Sequence, residues 1–366
     1  MVPLKGLLGA VGREKCFGVR LKVTARGGVM MGALFLQEKD VVAVLDFDMA
    51  IDAVEEGFRQ YGLGLVQSPP WREVCFTGKG IPHGAGPGII QAMAYLEREK
   101  IAVVKHFYSF PGSKTSVLRL IDAEAGKTLA VMEANYESWM RTGAAGAVGA
   151  KYLARESSSR AGIIGTGTQA RAQIRFLARV RPVKKLYAYS VDPLAKREEF
   201  AREIENELKV GGVELVGSAQ EAVEKADVLV TATPSTKPIV RGNWIKRGLH
   251  ITSMGADDPL KVELAESALT KADKLVIDCE KALETAQLRI PLSAGALKPD
   301  DIHGSIGEVV AGKKPGREND EEITIFHSTG MTVQDVPIAL AVYRKAREKG
   351  IGHELCEALR MLEESI

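Results

Sequence analysis

The sequence predicts a doubly wound α/β fold, a parallel sheet flanked by helices, joined to a second, α+β domain. Three observations predict it. A short apolar run, Arg160 to Ile164, ends in Gly165-x-Gly167-x-x-Ala170 and passes at once into a helix-like stretch from Gln169 to Val180. Strand-like and helix-like segments then alternate as far as Ala232. Upstream, residues 65–135 are rich in β-prone runs instead.

In chain order, Val41 to Tyr61 has helical periodicity, with Val42, Leu45, Ile51, Val54 and Phe58 apolar. Val103-Val104, Val117 to Ile121 and Leu129 to Met132 read as strands, with a turn at Asp122 to Gly126. Ser138 to Ala154 is helical and rich in Ala and Gly, so it is expected to pack closely on another element. Ser157-Ser158-Ser159 is a loop into the glycine-bearing strand. After the helix from Gln169 come a strand at Lys185 to Tyr189, a helix at Pro193 to Leu208 and a strand at Val213 to Val216. A short helix at Ala219 to Lys225, a strand at Asp227 to Ala232 and another at His250 to Ser253 follow. Val333 to Lys349 and Gly352 to Leu362 read as closing helices. The expected division is an N-terminal extension at 1–32, a substrate-binding and dimerisation domain at 33–143 and 330–366, and a Rossmann-like dinucleotide domain at 144–329. The α+β domain lacks enough helix to cover both faces and edges of its strands, which points to a homodimer built on it.

The glycine turn carries the chemical argument. Gly165 permits the tight turn, Gly167 lets backbone approach a pyrophosphate, and Ala170 lets helix and strand pack closely. The helix N-terminus then presents free N–H groups and a partial positive charge to phosphates. A plain packing turn without ligand has the same pattern; the flanking alternation of strands and helices favours the nucleotide reading. A nicotinamide cofactor would narrow the chemistry to hydride transfer.

Composition excludes other classes. Lys plus Arg is 49 against 47 for Asp plus Glu, a net charge of +2, which gives no reason to expect nucleic acid or an anionic membrane as partner. No apolar run reaches the length of a membrane span. Hydrophobic residues at 45% and charged residues at 26% mark a globular chain. Cys16, Cys75, Cys279 and Cys356 lie far apart without a Cys-x-x-Cys, as in a reduced cytoplasmic protein lacking a zinc site. The six histidines have no metal-ligand spacing. Residues 1–32 mix Arg13, Lys15, Arg20, Lys22 and Arg26 with glycine and read as an upstream extension rather than a targeting segment.

Further motifs appear in a specific order: Pro69-Pro70-Trp71-Arg72, Val103-Val104-Lys105, Trp139-Met140-Arg141-Thr142 and Thr231-Ala-Thr233-Pro-Ser235. Then come Ser253-Met254-Gly255-Ala-Asp257-Asp258-Pro259-x-Lys261-x-Glu263 and Phe326-His-Ser328-Thr329-Gly330. Together with the glycine turn, this set resembles the ornithine cyclodeaminase/mu-crystallin family, which includes archaeal-type alanine dehydrogenases, over residues 33–350.

The resemblance implies roles. Arg72 and Arg141 would grip a substrate carboxylate, which suits the guanidinium fork. Lys105 would contact the substrate near its reacting carbon; a lysine on a β-prone run is costly unless paired or functional. Asp257 would be the proton donor and acceptor, following a strand whose carboxyl end faces the site. Salt bridges for the arginines, and a helix cap for Asp257, are the competing structural roles, with Asp258 the better cap because it precedes Pro259. Cofactor contacts are assigned to Ser116, Arg141, Thr142, Gly165, Gly167, Thr168, Gln169, Ala170, Ser190, Asp192, Thr233, Ser253, Met254, Gly255 and Thr329. The cofactor is NAD or NADP: Ser190 stands where NAD users place an acid, Asp192 can turn inward, and Lys196 and Arg197 follow one turn later.

The implied reaction passes through an imine at the α-carbon of an L-amino acid. Ornithine would then cyclise to proline with loss of ammonia, whereas alanine would give pyruvate. Reduction of a cyclic ketimine by NADPH, or cofactor-dependent binding with little turnover, are the alternatives; retention of both Lys105 and Asp257 argues against a pure binder.

Overall fold

The computed structural model describes residues 32–76, 88–110, 113–208 and 211–355. All but Gly32 of the expected N-terminal extension, and the end of the expected last helix, lie outside them.

Two eight-stranded sheets organise the chain. The first is built by β1 (Leu34–Leu36), β2 (Val66–Gln67), β3 (Arg72–Cys75), β4 (Gly88–Leu96), β5 (Ile101–Phe110), β6 (Ser113–Asp122) and β7 (Lys127–Glu133), with a last short strand, His353–Glu354, at its edge. Strands β4 to β7 form an antiparallel meander, and β1 lies parallel to β7. Period-two alternation divides their faces. Ala94, Leu96, Val103, Leu118, Leu120, Ala130 and Met132 point into a core shared with Phe58, Met140 and Val336 from the helices Phe47–Leu63, Asn135–Leu153 and Asp335–Lys349. On the other face, Met93, Tyr95, Val104 and Tyr108 are only half-buried.

The second sheet is wholly parallel. It contains β8 (Arg160–Ile164), β9 (Lys185–Tyr189), β10 (Val213–Leu215), β11 (Val228–Thr231), β12 (His250–Ser253), β13 (Lys274–Ile277), β14 (Ile302–Ser305) and β15 (Thr324–His327). Their order is β10-β9-β8-β11-β12-β15-β13-β14. The winding reverses between β8 and β11, and ligands of such sheets bind outside the carboxyl ends of the strands at that reversal. Strands β11, β12, β13 and β15 are buried along their whole length, as parallel strands covered by helices on both faces must be.

The Ala- and Gly-rich helix Asn135–Leu153 joins the two halves and packs as closely as its composition suggests. A Cβ on Gly143 would sit 2.2 Å from the ring of Phe176, and one on Gly149 would sit 2.3 Å from Phe326. Both neighbours are fully buried, so the contacts allow no larger residue.

Two expected helices differ. The stretch from Val41 to Tyr61 is two helices, Glu38–Val44 and Phe47–Leu63, because Asp46 caps the second by accepting from Met49 N at 2.8 Å. Gly352 onward does not begin a helix: His353–Glu354 is β16, antiparallel to β1. Among the described residues no helix is long and apolar enough to cross a membrane.

Candidate active site

The fingerprint turn has the geometry its residues imply. Gly165 adopts φ +110°, and a Cβ there would lie 2.5 Å from the carbonyl oxygen of Ala232. Gly167 is different: a Cβ there would meet nothing within 4 Å. The residue therefore borders open space beside the first turn of the helix Thr168–Val180. That turn carries no acidic side chain and no side-chain cap, so its N–H groups are free to take a phosphate. Ala170 is fully buried beneath it, and Gln169 Oε1 is buried without a partner. This cradle fits a dinucleotide pyrophosphate.

Just beyond β9 an acid turns toward the glycine turn. Ser190 holds the position itself, but its hydroxyl donates to Asp192 Oδ2 at 2.6 Å. Thr166, inside the glycine turn, donates to the same oxygen at 2.6 Å. Asp192 is thus swung inward against the fingerprint. Hydrogen bonds from Ser190 and Thr166, with Lys196 and Arg171 nearby, hold its carboxyl below the usual range.

Three loops at the carboxyl ends of β11, β12 and β15 are tied by buried acids whose roles the sequence did not disclose. Glu263 accepts from Thr231 Oγ1 (2.6 Å), Thr233 N (2.7 Å), Thr233 Oγ1 (2.9 Å), Ser253 Oγ (3.1 Å) and Gly255 N (2.9 Å). It thereby fixes Thr233, Ser253, Met254 and Gly255 relative to one another. Asp278, after β13, accepts from Thr329 N and Gly330 N, both at 2.7 Å, and from Ser328 Oγ at 2.9 Å.

Asp257 and Asp258 follow β12 and divide their duties. Asp258 Oδ1 accepts from Leu260 N at 2.8 Å and Lys261 N at 3.0 Å, closing the turn. Asp257 is exposed, and its Oδ1 lies 2.6 Å from Lys261 Nζ.

On the side of the first sheet, Lys105 is fully buried on β5. Its ammonium is 2.6 Å from Glu137 Oε2 and also donates to Asp335 Oδ1. Burial, opposed by Lys105 and reinforced by Asp335, pushes the Glu137 carboxyl up to about 8. Arg141 Nη1 donates to Gln334 Oε1 at 2.7 Å, while its Nε lies 3.8 Å from Asp335 Oδ1. Arg141 Nε and Gln334 Nε2 are buried without hydrogen-bond partners, donors that a bound anion would engage. Arg72 is exposed at the start of β3, opposite Gln91. Beside it, Trp71 Nε1 donates to Thr332 Oγ1 at 3.1 Å, and Lys281 Nζ stands 3.6 Å from the centre of the indole.

The structure thus joins Lys105 to Arg141 through Asp335, Asp192 to Gly165–Gly167 through Thr166, and Thr233 to Gly255 through Glu263. Ser116 is held by Asn135, whose Oδ1 accepts from Ser116 N at 2.8 Å. Thr142 Oγ1 donates to Ser138 O at 2.8 Å within its own helix. One signal for the missed acid was present: Glu137 precedes Arg141 by four residues, which puts both on one helix face. Among the described residues, no group of His, Cys, Asp and Glu side chains is arranged to hold a metal ion.

The family model for the ornithine cyclodeaminase/mu-crystallin family covers residues 31–350. Alanine dehydrogenase from Archaeoglobus fulgidus is 40% identical over 333 residues, 89% of this chain and 98% of that protein. Among solved structures, an archaeal alanine dehydrogenase dimer with bound NAD is 40% identical, with a TM-score of 0.81 over 89% of this chain and 99% of its own. Thermococcus litoralis Δ1-pyrroline-2-carboxylate reductase, in complex with NADH and L-proline, is 34% identical, with a TM-score of 0.81 over 88% of this chain and 100% of its own.

Proposed function

The chain belongs to the ornithine cyclodeaminase/mu-crystallin family, and on that premise we propose that it is an NAD-dependent dehydrogenase of the alanine dehydrogenase type. It would interconvert a small L-amino acid and its 2-oxo acid through the imine. The observation that carries the reading is the open helix N-terminus at Gly167–Thr168, flanked by the Asp192 carboxylate, on the same strand-end face as Asp257. When bound, the dinucleotide supplies a hydride acceptor for the substrate α-carbon. The residues that would hold it are Gly165–Ala170 at the pyrophosphate, Asp192 at the adenosine ribose, and the loops fixed by Glu263 and Asp278.

Arg141, supported by Gln334, holds the substrate carboxylate, and Arg72 closes over it. The α-carbon releases a hydride only when its amine is neutral, so Asp257 takes the ammonium proton. Asp257 then gives that proton up to solvent, which is the proton released overall; as water adds to the imine carbon, the carboxylate takes a proton from the water and passes it to the departing ammonia. Overall, alanine, water and oxidised cofactor become pyruvate, ammonium and reduced cofactor, with release of a proton. Lys105 is buried away from solvent; paired with Glu137 and Asp335, it fixes the wall against which Arg141 is set.

Reduction of a cyclic imine is a second reading, supported by the likeness to the pyrroline-2-carboxylate reductase. Absorbance of the reduced nicotinamide, followed with L-alanine, L-ornithine, L-lysine and Δ1-pyrroline-2-carboxylate, separates these reactions when products are analysed, because cyclodeamination yields no net reduced cofactor. Expected is NADH formation from L-alanine with stoichiometric pyruvate. No change with every amino acid and imine, at saturating cofactor, would end the oxidoreductase reading.

We also propose a homodimer. The half-buried outer face of the first sheet, extended by exposed Val74 and by the stacked pair Phe76–Phe110 at 5.7 Å, is the apolar surface that would form it.

A further inference from the structure

One cation in the cleft has no partner in the scheme above. Lys281 lies just beyond the carboxyl end of β13, in the second sheet's domain, and its side chain crosses to Trp71 beside the first sheet. Its ammonium makes no ion pair or hydrogen bond with a described side chain. Behind the indole, Phe107 lies 6.1 Å from Trp71, and Lys105 stands 4.9 Å over the other end of that aromatic pair. Two aromatic rings thus run between two ammonium groups.

The carboxylates around this wall are already committed. Glu137 and Asp335 face Lys105, Asp278 takes the loop N–H groups at Thr329 and Gly330, and Asp257 pairs with Lys261. Lys281 sits within the electrostatic reach of both Asp257 and Arg141, the proposed proton acceptor and carboxylate anchor. A substrate held between those two groups therefore extends its side chain into a field to which the Lys281 ammonium, unpaired by any described side chain, adds a positive charge. Burial lowers the affinity of Lys281 for its proton, while Asp278 offsets part of that. Stacking on the indole face favours the charged form.

We infer that Lys281 is a charge filter for this pocket, admitting α-amino acids and imines whose side chains are neutral or anionic and rejecting those that end in an ammonium. The inference rests on the amino-acid reading above and sharpens it: within the same family chemistry, a diamino acid is the wrong substrate for this chain. A like charge a few ångströms from Lys281, partly shielded from water, weakens binding by about tenfold or more.

The test is binding to the NADH-loaded protein, in which an L-amino acid cannot be oxidised. Calorimetric titration with L-ornithine and L-norvaline compares equal carbon chains with and without the distal ammonium, and L-glutamate supplies the anionic side chain. Wild type should bind norvaline at least about tenfold more tightly than ornithine. Lys281→Met should shrink that ratio toward one, Lys281→Glu should reverse it, and Lys281→Arg should keep it. Glutamate should lose affinity relative to norvaline in the Met and Glu variants. Equal affinity of the wild type for ornithine and norvaline, or a ratio unmoved in both Lys281→Met and Lys281→Glu, overturns the filter while leaving the dehydrogenase reading in place. Failure of every amino acid to bind, with NADH bound normally, overturns the amino-acid reading and the filter with it.

Discussion

Replacing Asp192 by serine should change which dinucleotide the protein binds. Both hydroxyls that hold the side chain donate to Oδ2, which leaves Oδ1 free of those two bonds, beside the glycine turn to which Thr166 belongs. An adenosine ribose there offers a 2′-hydroxyl, and a hydrogen bond to a charged acceptor contributes roughly 1.5–3 kcal/mol. A 2′-phosphate at about 5 Å would instead meet a like charge, at a cost of roughly 1–3 kcal/mol per unit charge for dielectric values between those of water and a protein surface. The two effects add, so wild type should prefer NADH to NADPH by about 100-fold or more. Asp192→Ser removes both. NADH affinity should fall about tenfold or more, NADPH affinity should rise, and the ratio should move by at least about 100-fold. Fluorescence titration of the two reduced cofactors reads this directly. The Asp192 carboxyl lies below its ordinary range, so the wild-type preference should hold from pH 6 upward. Equal wild-type affinity for the two cofactors, or an unchanged ratio in a folded Asp192→Ser protein, would refute the assignment.

Gly167→Val should lower NADH affinity by at least about tenfold, roughly 1.4 kcal/mol, because its side chain would fill the open space beside the helix N-terminus; titration of a folded variant checks it. Asp257→Asn should retain cofactor binding but reduce turnover by roughly 10²–10⁴-fold, the range for a lost acid–base group. Near-normal kcat on the best substrate would make Asp257 a partner of Lys261 only. Light scattering at micromolar concentration should return twice the chain mass; the single-chain value of 39.5 kDa would contradict the proposed dimer.

Much of the dinucleotide half was legible because its signals are local. The Gly165–Ala170 turn, the strands at Lys185–Tyr189 and His250–Ser253, and the close packing of the Ala- and Gly-rich helix each follow from a few adjacent residues. β13 and β15 are buried along their whole length and so carry no period-two pattern to mark them as strands. The order of the sheet, with the last long-range strand inserted between β12 and β13, is a non-local fact. The site divides along the same line. Gly167 and Asp257, both proposed site residues, are picked out by their place in the sequence pattern. Glu263, Asp278, Asp335 and Lys281 are picked out only through partners far away in sequence. Ser190 stands where the sequence pattern expects an acid, and Asp192, which the sequence allowed to turn inward, is held against the glycine turn by the hydroxyls of Ser190 and Thr166, the second of them non-local.

The buried group around Lys105 gives this divided site a measurable pH signature. Glu137 and Asp335 both face one ammonium, with Arg141 3.8 Å from Asp335. Burial makes a second carboxylate costly there, and Glu137 retains its proton up to about 8 rather than near 4.5. In the unfolded chain the same carboxyl releases its proton near the ordinary value. The Glu137 contribution to stability is therefore complete below about pH 4.5 and declines as pH rises, until the folded group also ionises near pH 8. The full excursion is on the order of 3–5 kcal/mol. Glu137→Gln keeps a polar group of the same shape beside Lys105 but removes the titration. Urea unfolding of the two proteins between pH 5 and pH 9 should show the wild type losing stability relative to the variant up to about pH 8, after which the difference stays constant. A difference independent of pH would mean that Glu137 is ionised in the folded protein at every pH tested, with Lys105 and Arg141 together balancing both carboxylates.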